Sequence, residues 1–193
     1  MSIPFLKDDS LAPGAVEQTA PGIRRVLCGN PGPFTYRGTN SWIIGQGNSV
    51  AILDPGPVDA AHLAALLDAT KGERITHILV THTHRDHSPG VAALKAATGA
   101  QIVGCAPLVL SDDGPRADAG FDATYAPDHV MADGESVSGP GWTLTAEIAS
   151  SVSASVVTLI LIQNASVLFN TRFCHNEENW PVCQYTRPDF WNG

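Results

Sequence analysis

Apolar and polar positions alternate in short runs separated by turn residues, and this spacing predicts a chain of strands and helices. Residues 1–21 are polar, contain Pro and show no period, which predicts a loose N-terminal arm. Apolar runs at 23–28, 41–44 and 49–53 predict strands, and Gly47-Asn48 between the last two predicts a hairpin. Asp54-Pro55-Gly56-Pro57 breaks the third strand. Leu63, Leu66 and Leu67 then give residues 60–70 one apolar helical face. Residues 75–80 are almost continuously apolar, as in a strand buried on both faces. Val91, Leu94 and Ala97 place a second helix over 89–98, and 101–105 is the next strand.

The resulting order, β-β-β-α-β-α-β, predicts an α/β fold with helices packed on a mixed sheet. Residues 108–130 are acidic and loop-like. Residues 142–148 read as a strand, and 155–162 with 166–170 as a further hairpin. Residues 174–193 carry no period. The division is therefore an arm over 1–21, one domain over 22–170 and an irregular tail over 171–193.

Composition narrows the picture. The hydrophobic fraction of 44% and charged fraction of 16% fit a globular protein with a real core. A formal net charge of −8 opposes broad electrostatic binding to nucleic acid or an anionic membrane. No basic stretch followed by an apolar core opens the chain, and the apolar run at 156–162 is far too short to span a bilayer. Cys28, Cys105, Cys174 and Cys183 form no CxxC pair, so buried thiols and a cytoplasmic location are expected.

Chemistry concentrates in Thr81-His82-Thr83-His84-Arg85-Asp86-His87, directly after the doubly buried strand. In an extended segment His82 and His84 point to the same side. Two imidazoles can hold one cation, and Asp86 with His87 can hold a second. Zinc takes such N and O donors, and a two-metal site can activate water and stabilise a leaving group. A single His at a strand end is usually only a polar cap, but four donors in this order are not explained that way. His62, His77 and His129 are isolated and read as non-ligands.

The His-x-His-x-Asp-His run resembles the signature of the metallo-β-lactamase superfamily. Residues 30–40 followed by Ser41-Trp42-Ile43-Ile44-Gly45 resemble its glyoxalase II-like and β-lactamase-like endoribonuclease branch. Ala51-Ile52-Leu53-Asp54-Pro55-Gly56 resembles that branch's strand ending in Asp-x-Gly, and Asp133-Gly134-Glu135 with Gly141-Trp142-Thr143-Leu144 its next strand pair. The resemblance covers about residues 22–146 and implies an αββα sandwich.

It also implies that His82 and His84 ligate one zinc, and Asp86 and His87 a second. Asp86 is then the catalytic carboxylate, and Asp54 hydrogen-bonds the ligand loop from beneath. The alternative for Asp54 is a turn residue before Pro. For Gly38 and Asn40, turn chemistry and loop shaping explain the sequence equally well.

The pattern then breaks. The family places a His in the turn that here reads Glu147-Ile148-Ala149-Ser150-Ser151-Val152-Ser153, and an Asp where the chain has Asn170-Thr171. His175 has the wrong spacing for the last ligand. Four of the seven ligands that the resemblance implies are present, so the sandwich and binuclear site are expected to be incomplete in the C-terminal half. Cys174, His175, Glu177, Glu178, Cys183 and Asp189 are candidate replacements.

The expected activity is hydrolysis of a small-molecule ester, thioester, lactam or phosphodiester by zinc-activated hydroxide. The alternatives are a catalytically impaired or non-catalytic truncated member, and a single-stranded RNA endonuclease. Against the last stand the net charge and the absence of an aromatic-basic cluster. An exposed inner sheet face predicts a homo-oligomer.

Overall fold

The computed structural model describes residues 11–107, 120–150 and 155–162, with 149–150 and 155–162 by backbone alone. A first sheet takes its strands in sequence order: β1 (Val16–Ala20), β2 (Ile23–Leu27), β3 (Asn40–Gln46), β4 (Ser49–Leu53), β5 (Ile75–Val80), β6 (Gln101–Gly104) and β7 (His129–Val130). Neighbours are antiparallel from β1 to β4 and parallel from β4 to β7. Helix α1 (Ala60–Ala69) connects β4 to β5, and α2 (Val91–Thr98) connects β5 to β6. A second, antiparallel sheet holds β8 (Ser136–Gly139), β9 (Trp142–Ser150) and β10 (Ser155–Ile162) in the order β10-β9-β8.

Local chemistry explains these elements. Gln46 faces Ser49 across a two-residue turn whose first residue, Gly47, has φ 77°. A positive φ there is what a hairpin twisting with its strands requires. Asp59 caps α1 by accepting from the Ala61 and His62 amides. Gly99 ends α2 in a left-handed conformation with φ 69°.

The core is shared by both sheets. Ile43, Ile44, Ile52, Ile78, Leu79 and Leu94 are fully buried, and so are Leu144 and Ala146 of β9. Trp142 enters from β9, donates its indole N–H to the Ser49 carbonyl at 3.2 Å, and meets the edge of the His77 ring. Gly45 admits it, because a Cβ there would lie 2.5 Å from the indole.

Three expectations need correction. The arm expected over 1–21 contains a paired strand, because Val16 to Ala20 hydrogen-bond along β2. Helix α2 starts at Val91 rather than 89, since Ser88 to Gly90 turn the chain out of the ligand loop. The segment read as loop over 108–130 ends in β7, whose two residues pair with β6. The strand expected over 166–170 and the tail over 171–193 lie outside the described residues, as does 108–119. Among the described residues no helix is long and apolar enough to cross a membrane.

Candidate metal centre

The ligand loop leaves the carboxyl end of β5, in the parallel part of the sheet, where open α/β sheets form their crevices. Its shape depends on Asp54, at the adjoining end of β4. Asp54 is buried, with a left-handed φ of 49°. Its Oδ1 accepts from the Thr81 amide at 2.9 Å, and its Oδ2 accepts from the Thr81 hydroxyl at 2.7 Å. The same Oδ2 lies 3.1 Å from His87 Nδ1. Asp54 thus sits beneath the loop and hydrogen-bonds it, and both its oxygens are engaged.

These bonds set the imidazoles. The single hydroxyl hydrogen of Thr81 goes to Asp54, so the 2.8 Å contact between Thr81 Oγ1 and His82 Nδ1 has the imidazole as donor. His82 is therefore protonated on Nδ1, which leaves Nε2 as the ring nitrogen that could hold a cation. His87 gives its Nδ1 proton to Asp54, which turns Nε2 toward Asp86 Oδ2 at 3.3 Å. A carboxylate behind an imidazole is the usual device for fixing a metal ligand's orientation.

The His82 ring lies 4.2 Å from that of His87 and 4.6 Å from that of His84, centroid to centroid. Donor atoms of Asp54, His82 and His87 fall within 4.8 Å of one another. His84 stands outside this tightest group, between His82 and the Phe121 ring, whose centroid is 4.9 Å away. Asp86 Oδ1 is buried and accepts no hydrogen bond among the described residues.

Electrostatics follow from this crowding. Burial, reinforced by His87 and His84, holds the His82 imidazole well below its ordinary value, so it is neutral. Burial also opposes a charge on His87, but the Asp54 and Asp86 carboxylates overcome it and push that imidazole up to about 10. Burial works against ionisation of Asp86, yet His87 and His84 hold it below the usual carboxylate range.

The donor set fits a zinc-like cation. Imidazole and carboxylate donors suit it: those of His82, His87 and Asp54 lie together, and the buried Asp86 Oδ1 is an acceptor that a cation would satisfy.

Several supports have no sequence signature. Thr39 donates its hydroxyl to the Asp86 carbonyl at 2.9 Å and is itself held by Asn30. The Asp122 amide donates to the Thr83 carbonyl at 2.7 Å, and Ser88 donates to the Asp122 carboxylate at 2.9 Å. Residues 120–122 therefore strap the loop from a segment that reads only as acidic. His62, isolated in sequence, is buried against Ser41. His77 bonds Thr76, and His129 bonds Glu135. Cys28 and Cys105 are buried free thiols, and burial pushes them up to about 11 and about 12. The candidate replacement ligands between Cys174 and Asp189 lie outside the described residues.

This fold and donor set define an α/β protein with a His/Asp cluster that could hold a metal ion at the carboxyl end of its parallel strands. Comparison with known proteins gives its family. The model of the metallo-beta-lactamase superfamily matches residues 34–169. The chain belongs to that superfamily.

An atrochrysone carboxyl ACP thioesterase of Passalora fulva is 43% identical over 81 residues, 41% of this chain and 24% of that protein. A lactamase-like protein of Pestalotiopsis microspora is 45% identical over 82 residues, 41% of this chain and 25% of that one. The chain spans about a quarter of the length of these curated relatives. Among solved structures, the metallo-beta-lactamase SMB-1 aligns with a TM-score of 0.61 at 20% identity, covering 79% of this chain and 60% of that one. The subclass B3 enzyme BJP-1 of Bradyrhizobium japonicum aligns at 0.56 and 24% identity, covering 80% and 59%. These likenesses show the fold.

Proposed function

We propose that the chain carries the zinc-binding part of a hydrolase that cleaves a thioester. The carrying observation is the convergence of His82, His84 and His87 with Asp86, three of them oriented by Asp54 and Thr81 or packed on one another. The thioester is favoured by the relatives named as thioesterases.

In this reading His82 and His84 hold one zinc, and Asp86 and His87 hold the second. Bound zinc supplies Lewis acidity toward a carbonyl oxygen and lowers the pKa of water. The protein's own groups do the rest. Asp86 Oδ1 orients the attacking water and takes its proton. Asp54 and Thr81 keep His87 and His82 in the tautomers that turn Nε2 to the cation. The Phe121 ring beside His84 gives that side of the site an apolar wall. Water oxygen bonds to the acyl carbon, the C–S bond breaks, and the thiol leaves with a proton.

A second reading, metal binding without turnover, rests on residues 147–153, where the family resemblance implies a His and the sequence has none. One experiment separates them. The purified protein is analysed for zinc and assayed on an acyl-N-acetylcysteamine thioester. Bound zinc with hydrolysis that His84→Ala abolishes is the expected result. Zinc without hydrolysis leaves the second reading, and no zinc after refolding with zinc overturns both.

A further inference from the structure

We infer that Ser41 and His62 are positioning residues for the metal centre, acting through the backbone of Asp54. The inference rests on the metal-binding role proposed for the ligand loop. Asp54 keeps its amide in the sheet, donating to the Leu79 carbonyl at 2.9 Å, but its φ of 49° turns its carbonyl out of the ladder. A residue with a Cβ holds that conformation only where its surroundings impose it. The restraint on the carbonyl is the Ser41 hydroxyl, which donates to it at 2.6 Å.

That hydroxyl has one hydrogen, already given to Asp54. Its 2.8 Å contact with His62 Nε2 therefore has the imidazole as donor. His62 is thus the neutral tautomer protonated on Nε2. Its Nδ1 is consistent with this, being buried with no hydrogen-bond partner among the described residues. A proton there would be a buried donor with no acceptor.

His62 reaches the site from the first turn of α1, whose cap Asp59 fixes its amide. Its ring also lies against the turn after β4, since a Cβ on Gly56 would come within 3.2 Å of it. The Gly56 amide in turn donates to the His87 carbonyl at 3.0 Å. One face of this turn is thus held by Ser41 and His62, and the other carries the Asp54 carboxylate and the Gly56 amide that hold Thr81 and His87. Three buried polar groups from β3, α1 and the end of β4 form one line ending at the ligand loop. Neither Ser41 nor His62 touches the cation in this scheme; they act by aiming Asp54.

The test uses two readouts, one independent of metal. In the metal-free protein, exchange of the Thr81 amide, which bonds Asp54 Oδ1, is followed by NMR beside the Leu79 amide in the preceding strand. Zinc affinity is measured by chelator competition. Ser41→Ala and His62→Leu are expected to speed Thr81 exchange about tenfold more than Leu79 exchange. They are also expected to weaken zinc binding about tenfold. His62→Gln, which returns an N–H donor near Nε2, is expected to restore both.

Equal acceleration of the two amides, with zinc affinity unchanged, would reduce the pair to ordinary core contacts and overturn the inference. So would failure of His62→Gln to rescue where His62→Leu has an effect. A wild-type protein that binds no zinc overturns the functional reading instead, and the exchange pattern still decides this one.

Discussion

Asp54→Ala removes one carboxylate on which much of the ligand loop converges. The Thr81 amide loses its acceptor at 2.9 Å and is left buried, a cost of about 1–3 kcal/mol. The Thr81 hydroxyl loses its acceptor, Asp54 Oδ2, and keeps only the bond it accepts from His82 Nδ1, 2.8 Å away. His87 loses the nearer of its two carboxylates. Removing one partner of a buried pair typically costs about 3–5 kcal/mol, and the low end applies because Asp86 remains. Ala also tolerates the left-handed backbone at position 54 less well than Asp does.

Together these terms place the loss at about 4–6 kcal/mol, a large part of the roughly 5–15 kcal/mol that holds a typical domain together. Asp54→Asn keeps an oxygen for the Thr81 amide but not the charge facing His87, and should lose about 3 kcal/mol. Urea unfolding of the metal-free protein measures both, and chelator competition should show zinc binding about 10–100-fold weaker in the Ala variant. A loss below about 1 kcal/mol for Asp54→Ala, with zinc affinity intact, would refute the account of Asp54 as the loop's anchor.

Two further outcomes follow from the same geometry. His87 is raised from 6.5 to about 10, so the stability it contributes to the metal-free protein is complete below pH 6.5 and is lost as pH climbs through about 10. His82 is held low, so its contribution falls away as pH drops below 6.5; thermal unfolding after chelation should peak near there, and His87→Asn should remove the decline between pH 6.5 and 9.0, above which the buried thiols Cys28 and Cys105 add one of their own. A decline in that range that persists in the variant would show that another group causes it. Gly45→Ala places a Cβ 2.5 Å from the Trp142 ring at a φ of 97°. Overpacking at about 1–3 kcal/mol and left-handed strain at about 1–2 kcal/mol predict a total near 2–5 kcal/mol by denaturant titration, and a neutral substitution would contradict the packing of β9 on the first sheet.

The sequence alone determined what is local. Strands β4 and β5 could be read to the residue, because a continuous apolar run bounded by turn residues leaves few alternatives. The four donors His82, His84, Asp86 and His87 were legible because the chain places them within six positions. What tertiary structure decided is everything that joins distant segments. Val16 to Ala20 have no apolar period of their own, since a strand at the edge of a sheet has little to bury, and only pairing with β2 makes them one.

Asp122 reads as one acid among several until the fold lays it against Thr83 and Ser88. The same holds for Ser41 and His62, 21 positions apart on different elements. A hydrogen bond between remote residues leaves no mark in spacing or hydropathy, because its geometry exists only once the sheet has set its register. The candidate donors were therefore written in the chain's local order, while their orientation, tautomer and charge came from the neighbours that folding supplied.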